Sequence, residues 1–341
     1  AEELKRDRSL AVTFIGEAHG YEAVLARQAG LRFIAIRTGK LRRYLTLSSF
    51  FLNLRDMVFV CLGIGQSYRL VGRLKPAVIF LKGGQVALPV AIAASLRRIP
   101  ILTHESDAVM GLSNRFIARF ADRVLTAFPA GNYPASMSRK ITAVGLPIRR
   151  EFCQSRQVHH QSKRRMVLIT GGSQGAVAIN DAIAAILPKL LEQVSVMHVT
   201  GKISYDRFAA LKTQLPKDLA EHYGVIDFTP DVAGYMREAF VVVSRASSTM
   251  FELASLGKPM ILIPLPSAAN NHQVKNAELF TQQHAALTLI QDNLTPERLY
   301  ETIATVLEDS TLRQKLREGT RYFQSCDAAK RVAAIIKEYG Q

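Results

Sequence analysis

The stretch from Met166 to Leu187 carries residue types that suit phosphate binding. An apolar run of strand length, Met166 to Thr170, leads directly into a glycine-rich turn, Gly171 to Gly175, and apolar residues then recur at helical spacing. Glycines let a backbone approach an anion closely, and the first N–H groups of a helix carry partial positive charge. The stretch therefore predicts a phosphate cradle, but a tight strand-to-helix connection would show the same pattern.

The length and charge of the chain indicate the number of domains and the kinds of binding partner. A chain of 341 residues suits two ordinary domains, and its formal net charge is +16. Such an excess of Lys and Arg favours phosphorylated ligands, an anionic membrane surface or nucleic acid as partners. We expect no nucleic-acid partner, because no pattern of a DNA- or RNA-binding module occurs.

The cysteines give a separate constraint. Cys61, Cys153 and Cys326 are widely spaced and form no CxxC pair. This pattern predicts neither a disulfide framework nor a zinc site, and it fits a reducing cytosol.

Strands and helices are predicted to alternate in both halves of the chain. In the first half the predicted strands are Leu10–Ile15, Arg32–Ile36, Val78–Leu81, Pro100–Thr103 and Arg123–Ala127, and the predicted helices are Tyr21–Gln28, Pro89–Leu96 and Leu112–Ala121. After Met166 the further strands are Val194–Val199, Val225–Phe228, Val241–Val243 and Met260–Ile263, and the further helices are Tyr205–Gln214, Val232–Ala239 and Ser248–Leu256. Alternation of this kind indicates parallel, doubly wound sheets. Because Val144 to Lys163 has linker composition, we expect two Rossmann-like domains with a cleft between them.

Residues with special chemistry follow several of these strands. In open α/β sheets, ligands bind beyond the carboxyl ends of the strands. The residues predicted at such ends are Gly16, Gly83, Gly84, His104, Gly171, Gly172, Ser244, Arg245 and Pro264. Their clustering indicates a ligand site, although a lone histidine such as His104 is more often a buried structural residue.

Several segments together resemble the MurG family of bacterial glycosyltransferases, which add N-acetylglucosamine to the lipid-linked muramyl-pentapeptide of peptidoglycan synthesis. The matching segments are His104–Asp107 (HESD), Gly111–Arg115, Val144–Arg149 (VGLPIR), Gly171–Ala176 (GGSQGA), Ser244–Ala246 with Glu252, and His272–Gln273 with Asn276–Ala277. They span nearly the whole chain in the order of the family. The resemblance implies the two-domain GT-B fold of the α/β class. The expected boundaries are an acceptor and membrane-side domain at 1–146, a UDP-sugar domain at 147–325, and a C-terminal helix at 326–341 that packs back on the first domain.

The resemblance also implies the reaction and its substrates. The donor would be UDP-N-acetylglucosamine, and the acceptor would be the undecaprenyl-diphosphate-linked muramyl-pentapeptide, attacked with inversion at the cytoplasmic face of the cell membrane. No metal or other cofactor is expected. The implied substrate-binding residues are Asp107, Arg149, Gly172, Ser173, Gln174, Gly175, Thr229, Arg245, Ser248, Thr249, Glu252, His272, Gln273 and Asn276.

These residue types suit the roles that the family implies. The glycine turn and Ser173 can hold the diphosphate, with Arg149 neutralising charge, and the carboxylate of Glu252 can accept hydrogen bonds from both ribose hydroxyls. Gln273 offers an amide that donates to and accepts from sugar hydroxyls. The alternatives are an ordinary exposed helix glutamate at Glu252 and a plain polar loop around Gln273.

The sequence departs from the family in three places. The opening GGTGGH loop, which supplies the acceptor cradle and a candidate base, has no counterpart, and the remaining base candidates are His104, Glu105 and His19. Asp107 stands where the family usually has Asn, and the loop from Arg245 to Glu252 is one residue shorter and lacks a glycine. The alternative function is therefore a catalytically impaired UDP-sugar-binding or scaffold protein.

One further segment bears on the membrane. Leu45 to Gly65 is apolar but contains Asn53, Arg55 and Asp56, so it is not expected to span a bilayer. Its apolar face follows a basic collar, a pattern typical of a helix lying on an anionic membrane, and equally of a helix packed into a domain core. The face comprises Leu47, Phe50, Phe51, Leu54, Val58, Cys61 and Leu62, and the collar comprises Lys40, Arg42, Arg43 and Tyr44. With a lipid-linked acceptor, we favour the membrane.

Overall fold

The computed structural model describes residues 2–7, 9–18, 20–39, 47–154, 164–172, 175–229 and 231–340. The chain divides into two compact units: a first unit of Ala1–Val144 with Asp327–Gln341, and a second unit of Gly145–Cys326. The predicted site residues His19, Ser173 and Gln174 and the basic collar Lys40 to Tyr44 lie outside the described residues.

Strands and helices alternate along most of both units. In chain order they are α1 (Glu2–Lys5), β1 (Thr13–Gly16), α2 (Tyr21–Gln28), β2 (Arg32–Ala35), α3 (Leu47–Leu74), β3 (Ile79–Leu81), α4 (Ala87–Leu96), β4 (Ile101–Glu105), α5 (Leu112–Phe120), β5 (Arg123–Thr126), β6 (Ile141–Ala143), β7 (Met166–Thr170), α6 (Val177–Gln193), β8 (Ser195–Val199), α7 (Tyr205–Gln214), α8 (Lys217–Ala220), β9 (Tyr223–Ile226), α9 (Val232–Glu238), β10 (Val241–Ser244), α10 (Thr249–Ser255), β11 (Met260–Leu262), α11 (His272–Gln282), β12 (Leu287–Thr288), α12 (Pro296–Glu308), α13 (Ser310–Thr320) and α14 (Ala328–Gly340).

The first unit holds two parallel sheets among its described residues. Strands β1 and β2 pair with each other, and β3, β4, β5 and β6 form a second sheet in that order. The C-terminal helix α14 belongs to this unit, because Val332 and Ile336 bury their side chains against Leu102, Leu125 and Val144. None of the helices in the described part of the chain is both long and apolar enough to cross a membrane.

The second unit is built on one parallel sheet in the order β12-β11-β10-β7-β8-β9. The chain winds outward from β7 to β9 on one side and from β10 to β12 on the other, so the direction of winding reverses between β7 and β10. This reversal is the topological switch point at which doubly wound sheets bind ligands. Thr170 pairs with Ser244 in the register of the two strands, and both strands end there. The next residues, Gly171 and Arg245, therefore leave the sheet side by side.

Helix α6 follows β7 and covers the sheet of the second unit. Its buried side chains recur three and four residues apart, which places them on one face of the helix. They include Ile179, Ile183, Ile186, Leu187 and Leu190, all within the core formed with Val167 and Ile169 of β7. This packing fixes the start of α6 next to the end of β7.

Several predicted bounds differ from the structure. Strand β4 continues to Glu105, so His104 lies inside the strand and not after it as predicted. Strand β10 likewise includes Ser244. Within the segment predicted from Leu45 to Gly65, the described residues 47–65 form the beginning of the 28-residue helix α3. The predicted C-terminal helix corresponds to α14, whereas α11, α12, α13 and the two-residue strand β12 were not predicted.

The expectation that the cysteines form no disulfide is wrong for Cys153 and Cys326. The two residues are joined, with 5.5 Å between their Cα atoms, across a sequence separation of 173 residues. Cys153 ends a short 3₁₀ helix near the beginning of the second unit, and Cys326 is the last residue of that unit. Sequence spacing alone cannot reveal such a pair, because the fold brings its members together. Cys61 is free and exposed.

Reducing this disulfide should weaken the second unit. A cross-link across a long loop restricts the unfolded chain, so its loss is expected to lower the free energy of unfolding by about 2–5 kcal/mol. Urea unfolding with and without a phosphine reductant measures the change, and Cys61→Ser serves as the control that keeps the full effect. Thiol titration of the folded protein should count only Cys61 before reduction. Equal urea midpoints for the oxidised and reduced protein would contradict the assignment.

Candidate functional site

Three positions of the turn after β7 require or strongly favour glycine. A Cβ atom at Gly171 would lie 2.2 Å from the backbone nitrogen of Ala176, and Gly172 and Gly175 have φ values of +81° and +78°. The N–H of Gly175 donates to the carbonyl of Gly172 at 3.0 Å. No side chain at Ala176, the residue before α6, caps that helix. The turn therefore brings bare backbone and the positive end of a 17-residue helix to the same place.

A cavity of about 880 Å³ opens at this turn, within the second unit. Its walls come from the glycine turn, the first residues of α6, the segment after β10, the segment after β11 and the start of α11. The described lining residues are Gly171, Gly172, Gly175, Ala176, Val177, Ala178, Asp181, Arg245, Ser247, Ser248, Thr249, Leu265, Gln273 and Gln291. The cavity thus lies at the switch point of the sheet, where the topology predicts a ligand.

Arg245 supplies positive charge to this cavity. It is the only basic residue among the described lining residues, and it is 8% exposed. One of its N–H groups donates to the carbonyl of Ile263 at 3.0 Å, which holds the side chain in place. Burial lowers the pKa of Arg245, because the charged form has lost part of its hydration. An anionic ligand in the cavity would restore that lost stabilisation.

Gln273 and its neighbourhood give the cavity a polar wall. The side-chain oxygen of Gln273 accepts a hydrogen bond from the N–H of Leu265 at 2.9 Å. The amide of Gln273 therefore presents its NH₂ group to a ligand as a donor, whereas the sequence analysis expected it both to donate and to accept. Asp181, another residue of the cavity lining, pairs with Arg207.

Glu252 lies beside Arg149 and does not line this cavity. The ion pair between the Glu252 carboxylate and the Arg149 guanidinium spans 3.7 Å, and Arg149 also contacts Glu151 at 2.8 Å. Burial raises the pKa of Glu252 to about 7, although the charge of Arg149 lowers it. The carboxylate is therefore poised to change charge near neutral pH.

Three other predicted site residues also lie off the cavity wall. Asn276 is fully buried, and its NH₂ group donates to the carbonyl of Ala246 at 3.2 Å, which supports the segment that carries Arg245. His272 contacts the carbonyl of Ala269 through Nδ1 at 2.7 Å. The hydroxyl of Thr229 accepts a hydrogen bond from the N–H of Asp231.

The predicted residues of the first unit form a separate cluster at the end of β4. Glu105 is 3% exposed, and its carboxylate accepts hydrogen bonds from the N–H groups of Asp107 and Gly111 and from the NH₂ group of Asn114, at 3.0–3.1 Å. Burial raises the pKa of Glu105. His104 is 1% exposed. This geometry makes Glu105 the group that shapes the loop from Asp107 to Gly111.

The sequence did not indicate the structural role of Asn114 or the presence of Leu265 and Gln291 in the cavity wall, although Gly83 was singled out at a strand end. Asn114 joins β4 to α5, and Gly83 must be glycine because a Cβ atom there would lie 2.8 Å from the Asn114 oxygen. Leu265 follows Pro264, which the strand-end argument did single out. Gln291 follows β12, whose two residues are too short to show a strand pattern. Among the described residues, no group of three acidic, histidine or cysteine side chains lies close enough to hold a metal ion.

Comparisons with known proteins identify the family to which the chain belongs. Residues 166–334 match the model of the glycosyltransferase family 28 C-terminal domain, and residues 1–126 match that of the family 28 N-terminal domain. A Bacillus cereus relative named UDP-N-acetylglucosamine–N-acetylmuramyl-(pentapeptide) pyrophosphoryl-undecaprenol N-acetylglucosamine transferase 2 is 32% identical over 96% of this chain and 91% of its own length. A Sorangium cellulosum relative with the same name, apart from the final number, is 33% identical over 98% of this chain and 81% of its own.

The solved structures include the crystal structure of Acinetobacter baumannii MurG. It is 26% identical to this chain, covers 99% of it and 93% of its own chain, and superposes with a TM-score of 0.75. The predicted two-domain GT-B fold and the predicted family resemblance are therefore confirmed. The chain belongs to the MurG family of the family 28 glycosyltransferases.

Proposed function

We propose that this protein transfers N-acetylglucosamine from UDP-N-acetylglucosamine to a lipid-linked N-acetylmuramyl-pentapeptide. The observation that carries the proposal is the cavity at the switch point, where bare glycine backbone, the start of α6 and the buried Arg245 converge. The relatives described above bear names that state this reaction.

The diphosphate of the donor would occupy the glycine turn. Backbone N–H groups and the guanidinium of Arg245 would bind its oxygens, since both are donors that suit a concentrated negative charge. Gln273 would donate from its NH₂ group to an oxygen of the sugar or the diphosphate. Ser248 and Thr249, which also line the cavity, add hydroxyl groups.

The chemistry would be a single displacement with inversion. The 4-hydroxyl of the acceptor sugar attacks the anomeric carbon while the bond between that carbon and the β-phosphate oxygen breaks. The hydroxyl proton passes to a general base, and UDP leaves with the bonding electrons. Arg245 and the backbone N–H groups would stabilise the charge that develops on UDP.

The proposal is tested with radiolabelled UDP-N-acetylglucosamine and a short-chain lipid-linked acceptor. We expect labelled disaccharide product, and competition by UDP-N-acetylglucosamine that exceeds competition by UDP-glucose or UDP-galactose. Arg245→Ala should weaken donor binding by about tenfold or more, because a buried charge-assisted contact is lost. The exposed Arg321→Ala serves as the control and should match the wild type.

The outcomes separate the candidate functions. Donor binding without product would favour the alternative of a UDP-sugar-binding protein that does not catalyse. Absence of donor binding in the folded protein would contradict both.

We propose that Glu252 binds the ribose of the donor. An ionised carboxylate can accept hydrogen bonds from both ribose hydroxyls, and the pKa of about 7 means that ionisation is complete only above neutral pH. Affinity that depends on the carboxylate is therefore present above pH 7 and is lost as the pH falls through that value.

Glu252→Gln should weaken binding of UDP-N-acetylglucosamine by about tenfold at alkaline pH, the effect of losing one charge-assisted hydrogen bond. Wild-type affinity should fall between alkaline and acidic pH, whereas that of Glu252→Gln should stay flat. Calorimetry with the donor and with its 2′-deoxyribose analogue measures both effects. If the substitution weakens the two ligands equally, Glu252 does not bind the ribose.

We also propose that the first unit lies on an anionic membrane surface, at the cytoplasmic face where the lipid-linked acceptor is used. Leu54, Val58 and Leu62 of α3 are 45–55% exposed, with Cys61 exposed beside them. They are spaced along one face of the helix, and this exposure supports the membrane interpretation over burial in the domain core. The net charge of +16 would add attraction to anionic lipids.

Val58→Glu with Leu62→Glu should reduce sedimentation with phosphatidylglycerol vesicles by about tenfold, since two apolar side chains that would contact the lipid become negatively charged. Vesicles of phosphatidylcholine should bind the wild type more weakly. The control Val24→Glu with Leu25→Glu changes exposed apolar residues of α2 and should leave sedimentation unchanged. Equal losses in both double variants would contradict the assignment to α3.

A further inference from the structure

Three fully buried polar side chains form a hydrogen-bond chain beneath the glycine turn. His198 of β8, Asn180 of α6 and Tyr223 of β9 are 0–1% exposed. The ring nitrogen Nε2 of His198 lies 3.0 Å from the Asn180 oxygen, and Nδ1 lies 3.0 Å from the Tyr223 hydroxyl. The NH₂ group of Asn180 lies 3.0 Å from the carbonyl of Thr200. This hydrogen-bond chain thus ends at the backbone carbonyl of Thr200, just after β8.

The direction of every hydrogen bond in this chain is fixed. The carbonyl of Thr200 can only accept, so Asn180 donates to it and uses its oxygen as an acceptor. His198 must then donate from Nε2 and accept at Nδ1 from the Tyr223 hydroxyl. Burial lowers the pKa of His198 to about 3, so the imidazole stays neutral in the one tautomer that fits.

The carbonyl of Thr200 is also the surface against which the glycine turn packs. A Cβ atom at Gly175 would lie 2.3 Å from the Thr200 oxygen, so the backbone of Gly175 approaches that carbonyl directly. The position of the carbonyl is set from the other side as well, because the N–H groups of Thr200 and Gly201 donate to Ile226 and Asp227 at 3.0 and 3.1 Å. Moving the Thr200 carbonyl would therefore move Gly175.

We propose that Asn180 is a positioning residue for the diphosphate, holding the Thr200 carbonyl against which Gly175 packs while His198 and Tyr223 hold Asn180 in its donating orientation. The inference rests on the proposed function, because it assumes that the turn binds the diphosphate of a nucleotide sugar. It assigns a role to three residues that lie outside the cavity and touch no ligand.

A positioning role explains the polar side chains of Asn180, His198 and Tyr223 better than simple filling of core volume does. Buried polar groups cost free energy unless every partner is supplied, and apolar side chains of similar size would fill the same volume without that requirement. A fully satisfied polar chain instead fixes one geometry, since each donor has a single acceptor. A diphosphate cradle needs that fixed geometry, because its backbone donors must all reach one anion.

The test compares the affinities for UDP and for uridine in the variant Asn180→Leu. Leucine keeps the number and branching of the side-chain heavy atoms but leaves the Thr200 carbonyl without the Asn180 donor. We expect UDP to bind about tenfold more weakly, while uridine, which has no phosphate, binds as to the wild type. Leu190→Ala is the matched control: it removes buried volume from the same helix and should lower the melting temperature without changing the ratio of the two affinities.

A second variant makes the test independent of how well Asn180→Leu folds, and a double variant tests whether Asn180 acts through Gly175. Tyr223→Phe removes only the hydroxyl at the far end of the chain and should lower the UDP-to-uridine affinity ratio by a few-fold. Gly175→Ala displaces the turn directly. If Asn180 acts through Gly175, the effects of Asn180→Leu and Gly175→Ala on UDP affinity will overlap and will not multiply.

The outcomes distinguish this inference from the proposed function. A wild-type protein that fails to bind UDP contradicts the proposed function itself. A wild-type protein that binds UDP, together with folded Asn180→Leu or Tyr223→Phe variants whose affinity ratios are unchanged, overturns only the positioning role. Multiplicative effects in the double variant would overturn it as well.

Discussion

The parallel register of β7 and β10 is the constraint on which the site depends. The backbone ladder pairs Thr170 with Ser244, so the glycine turn and Arg245 emerge next to each other at the edge where the winding of the sheet reverses. A slip of one residue in either strand would send one of them to the opposite face. The packing of α6 then fixes its N-terminus beside the turn. The cavity follows from these two facts, because its other walls are the segments that leave the neighbouring strands.

Glu105 and Glu252 show how the surroundings of a carboxylate differ between the two units. Glu105 accepts three hydrogen bonds from its own loop, so its charge is already satisfied by the fold of the first unit. Glu252 has an ion pair with Arg149 at 3.7 Å, a longer and weaker contact, and burial raises its pKa to about 7. A ligand with two adjacent hydroxyls could donate two hydrogen bonds to the carboxylate of Glu252, whereas the carboxylate of Glu105 already accepts three from its own loop. The carboxylate of Glu105 is therefore satisfied by its own loop, whereas we propose that the carboxylate of Glu252 is completed by a ligand.

The sequence predicted those features that depend on the local pattern of apolar and polar residues. Strand β7 has the bounds that the sequence predicted, because an apolar run stops abruptly at Gly171. The end of β4 was misplaced, since His104 and Glu105 are polar residues buried by tertiary contacts that hydrophobicity cannot show.

Other features depend on contacts between residues far apart in the sequence, so sequence patterns could not predict them. Gln291 reaches the cavity only because β12 joins the edge of the sheet. The disulfide between Cys153 and Cys326 joins positions 173 residues apart. Of the predicted substrate-binding residues that the structure describes, only some line the cavity: Gly172, Gly175, Arg245, Ser248, Thr249 and Gln273.

A crystal structure of the protein with UDP-N-acetylglucosamine bound tests the central claim most directly. The account predicts the diphosphate at the glycine turn, with its oxygens within hydrogen-bonding distance of the backbone N–H groups there and of the Arg245 guanidinium. A donor bound elsewhere on the second unit, with Arg245 still directed only at the carbonyl of Ile263, would contradict it.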